Sequence, residues 1–184
     1  PEHDIALAAN LANFTAPHAG RRLRSDLGWL PALWAGPDDV VLVDDVEHAQ
    51  RAWNRLKNRV GKGSVRFIAK NELHAFSDCR VEPWGWDLAL RAYLLRHGIG
   101  RVPTEAEIDV VRRLSHRRTA AVLLDRLRCV EGTVGESFVV ANADAVGVMV
   151  ARLGRVVLKA PWSSSGRGLR FLSALPSRVI HWVL

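Results

Sequence analysis

Asp39-Val40-Val41-Leu42-Val43-Asp44-Asp45, then the helix-patterned residues 46–60, then Ser64-Val65-Arg66-Phe67-Ile68-Ala69, is the stretch that decides the fold. The first run is β-branched and closed by two acids, which predicts a buried strand. Ala49, Trp53, Leu56 and Val60 recur on one helical face while Arg51, Arg55, Lys57 and Arg59 fall elsewhere, so the connection is an amphipathic helix. Strand, helix and strand within about 30 residues form a βαβ unit, with a parallel sheet and a right-handed crossover. Gly61-Lys62-Gly63-Ser64 has the residue types of a P-loop without its G-x-x-x-x-G-K-[ST] spacing, and it precedes a strand; it reads as a basic turn. Asp44 and Asp45 stand where a dinucleotide-binding fold puts an acid on ribose, but no G-x-G-x-x-G precedes them, which favours a helix cap.

Around this unit the helical signals are frequent. Leu23, Leu27, Leu30 and Trp34 keep helical spacing for about three turns, interrupted by Pro31. Asp87 caps a helix running to His97, with Leu88, Leu90, Tyr93, Leu94 and Leu95 available for packing and Gly98 as its stop. Just before it, Trp84-Gly85-Trp86 fits either the packing of that helix start or the lining of a cleft. Thr104 and Glu107 make a capping box for a helix whose apolar face is Ile108, Val111 and Leu114. Ser115 opens another, with Val122, Leu123, Leu127 and Val130 as core candidates. The basic cluster at this junction, Arg112, Arg113, His116, Arg117 and Arg118, reads by composition as a solvated surface. Phe138-Val139-Val140 is expected as a short strand, and residues 142–153 as a helix capped by Asn142, packed through Val146, Met149, Val150 and Leu153 and stopped by Gly154.

The 184 residues suffice for one domain, or for one and part of a second, and 48% hydrophobic content is that of a packed globular protein. No run reaches the roughly 18 to 20 apolar residues of a membrane span, and Pro1-Glu2-His3-Asp4 lacks the layout of a signal peptide, which points to a cytoplasmic setting. A first residue of proline suggests a chain processed or excised from something longer. Cys79 and Cys129, far apart and without a CxxC pair, are expected as reduced thiols that fill space in or near the core. The net charge of +7 suits an anionic partner, but the basic residues are spread over several helices and the seven tryptophans are scattered; nucleic acid is disfavoured as the main partner. The seven histidines show no H-E-x-x-H or similar metal spacing.

Chemistry concentrates in Val156-Val157-Leu158-Lys159-Ala160-Pro161-Trp162-Ser163-Ser164-Ser165-Gly166-Arg167-Gly168-Leu169-Arg170-Phe171. It reads as a strand ending in lysine, a loop of small residues and a returning strand. Serines and glycines let backbone N–H groups approach an anion, and Lys159 and Arg167 bring positive charge to phosphate oxygens. A loop between antiparallel strands acts as a flap over a nucleotide, unlike phosphate sites at helix N-termini. Protein kinases use such a flap with the glycines before the lysine; here Lys159 comes first.

This lysine-then-glycine order resembles the ATP-grasp superfamily. DIALAANLANFTAP at 4–17, PWGWD at 83–87, LSHR at 114–117 and LKAPWSSSGRGLRF at 158–171 look like a group of bacterial ATP-grasp proteins. The resemblance implies an α/β chain in which residues 1–100 form the Rossmann-like parallel sheet of a pre-ATP-grasp domain, and residues 101–184 the incomplete, opening part of the ATP-grasp α+β domain. It implies ATP bound by Lys159 and by a flap of Ser163, Ser164, Ser165, Gly166, Arg167 and Gly168. Arg117 lies where the superfamily has a basic phosphate ligand, although the usual Ser-Asp-Lys is Ser115-His116-Arg117 here, and Arg118 competes for the role. The implied reaction is that of an ADP-forming ligase, joining an unknown carboxylate to an amine or thiol through an acylphosphate. The implied Mg2+ would sit on Asp, Glu or Asn residues outside this chain, so the chain alone is expected to be inactive in ligation. The alternatives are a non-catalytic nucleotide-binding or regulatory module and, from charge alone, a basic nucleic-acid-binding α/β domain.

Overall fold

The computed structural model describes residues 2–163 and 168–174. The chain is mixed α/β. In order it forms α1 (Glu2–Ala9), α2 (His18–Leu27), a 3-10 turn (Leu30–Leu33), β1 (Val40–Leu42), α3 (Val46–Leu56), β2 (Arg66–Ile68), a second 3-10 segment (Lys70–Phe76), α4 (Leu88–Arg96), α5 (Glu105–Ser115), α6 (Arg117–Leu127), α7 (Ala143–Leu153), β3 (Val156–Lys159) and β4 (Leu169–Leu172). Two compact units divide it: one is Ala9–Ile108, and the other joins His3–Ala8 to Asp109–Leu184, so the border falls within α5.

In the unit Ala9–Ile108 the expected strand–helix–strand order and parallel strand pairing are present. β1 and β2 pair in parallel, Val40 opposite Arg66 and Leu42 opposite Ile68, and one more bond follows from Val43 N to Ile68 O at 3.0 Å. Ala49 and Trp53 turn the inner face of α3 onto Val41, Val43, Val65, Phe67 and Ala32. The helix stops at Leu56 instead of reaching Val60, which is exposed beside the turn at Gly61. Asp45 is the helix cap, its Oδ1 accepting from His48 N at 2.9 Å, while Asp44 pairs with Arg24 at 3.6 Å. Asp45→Ala should therefore cost about 1 kcal/mol of stability, read as a lower urea midpoint; Asp44→Ala, whose ion pair is exposed, should cost much less.

A second cluster gathers Ile68, Leu73, Leu94 and Ile99, with Trp86, Leu90 and Tyr93 against it. Asp87 caps α4 through Leu90 N at 2.8 Å, and Gly98 stops it with φ +85°. Trp86 thus supplies the expected packing at the helix start, whereas Trp84 is 94% exposed. Burial, with Asp44 nearby, pushes the Tyr93 hydroxyl pKa up. The capping box is present: Thr104 N donates to Glu107 Oε2 at 2.7 Å and Glu107 N to Thr104 Oγ1 at 3.2 Å. The bonds from Thr104 hold the Glu107 carboxyl pKa below its ordinary value.

In the other unit β3 and β4 form an antiparallel hairpin, Val156 opposite Leu172 and Lys159 opposite Leu169. Val156, Leu158 and Leu172 pack on Val146 and Val150 of α7, which Asn142 caps through Ala145 N at 2.9 Å and Gly154 ends with φ +75°.

Several expectations need correction. Residues 138–140 form no strand, although Val140 packs beside α7. Leu23, Leu27 and Trp34 are exposed, and the proline-containing 3-10 turn instead buries Ala32. Val122, Leu127 and Val130 are 61%, 67% and 66% exposed and make no core among the described residues. Both cysteines are free and lie on the surface, Cys79 in a turn and Cys129 just past α6, so neither fills core space. No helix among the described residues is long and apolar enough to cross a membrane.

Candidate functional site

The β3–β4 hairpin has two unlike faces, because side chains alternate along a strand and directly paired residues share a face. One face is packed on α7. The other carries Val157 opposite Phe171 and Lys159 opposite Leu169. Phe171 is 79% exposed and Lys159 is exposed at the end of β3, where the loop begins. A shallow, open hollow lined by Arg155, Val156, Val157, Phe171, Leu172 and Ser173 lies toward the opposite end of the hairpin.

The root of the loop is closed by main-chain and side-chain bonds together. Ala160 N donates to Gly168 O at 2.8 Å. Gly168 has φ +65°, and a Cβ there would lie 2.8 Å from Ala160 Cβ, 2.9 Å from Ser163 Oγ and 3.0 Å from Ser163 Cβ. Glycine is required at this position on both counts.

Arg117, the first residue of α6, holds the same root. Its Nη1 donates to Ala160 O and to Ser163 Oγ, each at 2.9 Å, its Nη2 donates to Ser163 O, and its backbone N–H donates to Pro161 O at 3.3 Å. All of these acceptors are neutral, so the guanidinium charge is not cancelled by them. Trp162 is held by two neighbours: the Arg112 guanidinium stands 5.2 Å from its ring centre, and the His116 ring meets it edge-on at 4.8 Å. Arg112 in turn donates from Nε to Leu7 O of α1 at 2.8 Å, and His116 caps α6, its Nδ1 accepting from Arg118 N at 3.0 Å.

The expected site residues are thus distributed as follows. Lys159, Ser163, Gly168 and Arg117 gather at the loop root; Ser164, Ser165, Gly166 and Arg167 lie outside the described residues. The basic cluster 112–118 splits: Arg113 and Arg118 are exposed, whereas Arg112, His116 and Arg117 are half-buried against the loop. Sequence reading missed Trp162 as the residue these side chains grip, and Val157 and Phe171 as companions of Lys159. The period of two along β3 contained the second signal, since it puts Val157 and Lys159 on one face.

The described side chains that meet the loop root are guanidinium, imidazole, indole and hydroxyl groups, with the Lys159 ammonium at its start. This donor set suits an anion. It does not fit Mg2+, which takes oxygen ligands, carboxylates foremost, and no group of three His, Cys, Asp or Glu side chains suited to a metal occurs among the described residues. Compared with protein-family models, with curated proteins and with solved structures, the chain has no match.

Proposed function

We propose that the β3–β4 hairpin and its loop hold the phosphates of ATP in the manner of an ATP-grasp flap, with Lys159 as the principal phosphate ligand. The observation that carries this reading is the exposed face of the hairpin. An apolar pair, Val157 and Phe171, is followed on the same face by Lys159 and then by a loop of small residues. At about 3.3 Å per residue, Val157 and Lys159 are about 7 Å apart along the strand, a spacing that suits a base over the apolar pair and phosphates toward the loop. Phe171 offers a π-face for the base, and Lys159 offers donors to phosphate oxygens.

On this reading the unit Ala9–Ile108 is the Rossmann-like pre-ATP-grasp part, supported by its parallel β1–β2 pair. The reaction proposed for the whole enzyme follows from the resemblance: a carboxylate oxygen attacks the γ-phosphorus, ADP leaves, and an amine or thiol displaces phosphate from the acylphosphate. The residues described here contribute binding and orientation of ATP to that reaction.

ATP titration by calorimetry with Lys159→Ala tests the reading. Loss of a charge-assisted contact of about 1.5–3 kcal/mol predicts affinity about 10- to 100-fold weaker. The melting temperature should stay near that of the unmodified protein, because Lys159 is exposed. Unchanged affinity in a folded variant rules out Lys159 as the phosphate ligand.

A further inference from the structure

We infer that Arg117 is a positioning residue: it fixes the root of the 160–168 loop before any nucleotide arrives, acting on the anion through the loop. The inference rests on the reading that this loop holds phosphate, and it assigns Arg117 a different task from that of a direct ligand.

The guanidinium joins two points of the chain that the loop must keep in register. Ala160 immediately follows Lys159, and Ser163 lies three residues further on. By donating to Ala160 O, Ser163 Oγ and Ser163 O, Arg117 fixes the turn through Pro161 and Trp162. The planar fork suits this task, because its donors are preorganised in one plane and little freedom is lost per bond. Trp162, inside that turn, is gripped by Arg112 and His116, so three side chains from the α5–α6 junction hold Ala160, Trp162 and Ser163. Facing this cradle, Gly168 packs onto Ala160 and Ser163, and the bond from Ala160 N to Gly168 O closes the ring. A loop held in this way has its root ordered in advance, so binding has less ordering left to do. Three of the five guanidinium N–H groups serve these oxygens, and turning those three to a phosphate would release the turn.

Amide hydrogen exchange on the nucleotide-free full chain separates this role from that of a ligand. In Arg117→Ala, exchange at the Ala160 amide should rise at least about tenfold, while amides of α7 keep their protection. Arg117→Lys should restore part of it, since a lysine can reach one of the two carbonyls but cannot span both. Ser163→Ala, a milder change that removes only one acceptor, should shift exchange in the same direction by less. ATP affinity should fall in the order Ser163→Ala, Arg117→Lys, Arg117→Ala. Exchange at Ala160 that stays unchanged in Arg117→Ala and Ser163→Ala overturns the inference, and if ATP binding falls nonetheless, Arg117 is a direct ligand. Because exchange is read without nucleotide, failure of the unmodified protein to bind ATP refutes the phosphate reading separately.

Discussion

Replacing Gly168 with alanine is expected to loosen the β3–β4 hairpin, and to weaken the ATP binding proposed above, more than any other single-methyl change in the unit that contains Asp109–Leu184. Two costs combine. A residue with a Cβ is held at φ +65°, which costs about 1–2 kcal/mol. The new methyl also meets Ala160 Cβ at 2.8 Å and Ser163 Cβ at 3.0 Å, tighter than side chains tolerate, and Arg117 holds those two residues in place. Relief requires the loop root to open, which breaks the bond from Ala160 N to Gly168 O. The combined destabilisation should be about 2–4 kcal/mol, measured by urea unfolding. Gly61→Ala supplies the control: φ is +66° there, but nothing lies within 4 Å of its added Cβ. Equal losses in the two variants would show that the packing at Gly168 contributes nothing.

Trp53→Ala should produce the largest loss of stability in the unit Ala9–Ile108. Trp53 is 0% exposed and is the largest side chain in the cluster formed with Ala32, Val41, Val43, Ala49, Val65 and Phe67. Truncation at such a site costs about 3–5 kcal/mol, from lost burial and from the cavity left behind. Its Nε1 also donates to Gly63 O at 3.1 Å, tying the helix to the turn that leads into β2. Trp53→Phe keeps most of the volume and loses that bond, so it should cost about 1–2 kcal/mol beyond the small volume loss. Denaturant midpoints followed by far-ultraviolet circular dichroism give both values. A Trp53→Ala protein within 1 kcal/mol of the original would contradict this account of the core.

What could be read in advance was local. Asp45, Asp87, Thr104 and Asn142 cap helices because a cap bonds within three residues, and short-range spacing is visible in a sequence. Trp53 was legible from the 3.6-residue period of one well-patterned helix. That period failed on α6: Val122, Leu123 and Leu127 have the composition of a core face, yet whether such a face is covered depends on partners distant in sequence. The task of Arg117 was hidden for the same reason. Its acceptors lie 43 and 46 residues away, and in the sequence it is one of five basic residues at a helix junction. Lys159 and Gly168 stood out because strand, lysine, loop and glycine are contiguous. Their order could be read directly, although the bonds that close the loop could not.

The placement of α1 governs the order in which the molecule can be completed. Leu7 is buried with the unit that begins again at Asp109, and its carbonyl receives Arg112, 105 residues later. During synthesis the helix is made before α5 and must wait for it. At about 5–20 residues per second, some 5–20 s pass before α5 emerges to receive it, whereas Ala9–Ile108 is one continuous stretch. Unit Ala9–Ile108 can therefore assemble on the ribosome while α1 still waits for Arg112. A separately produced fragment beginning at residue 109 would lack α1 altogether, and the Nε of Arg112 would have lost its partner.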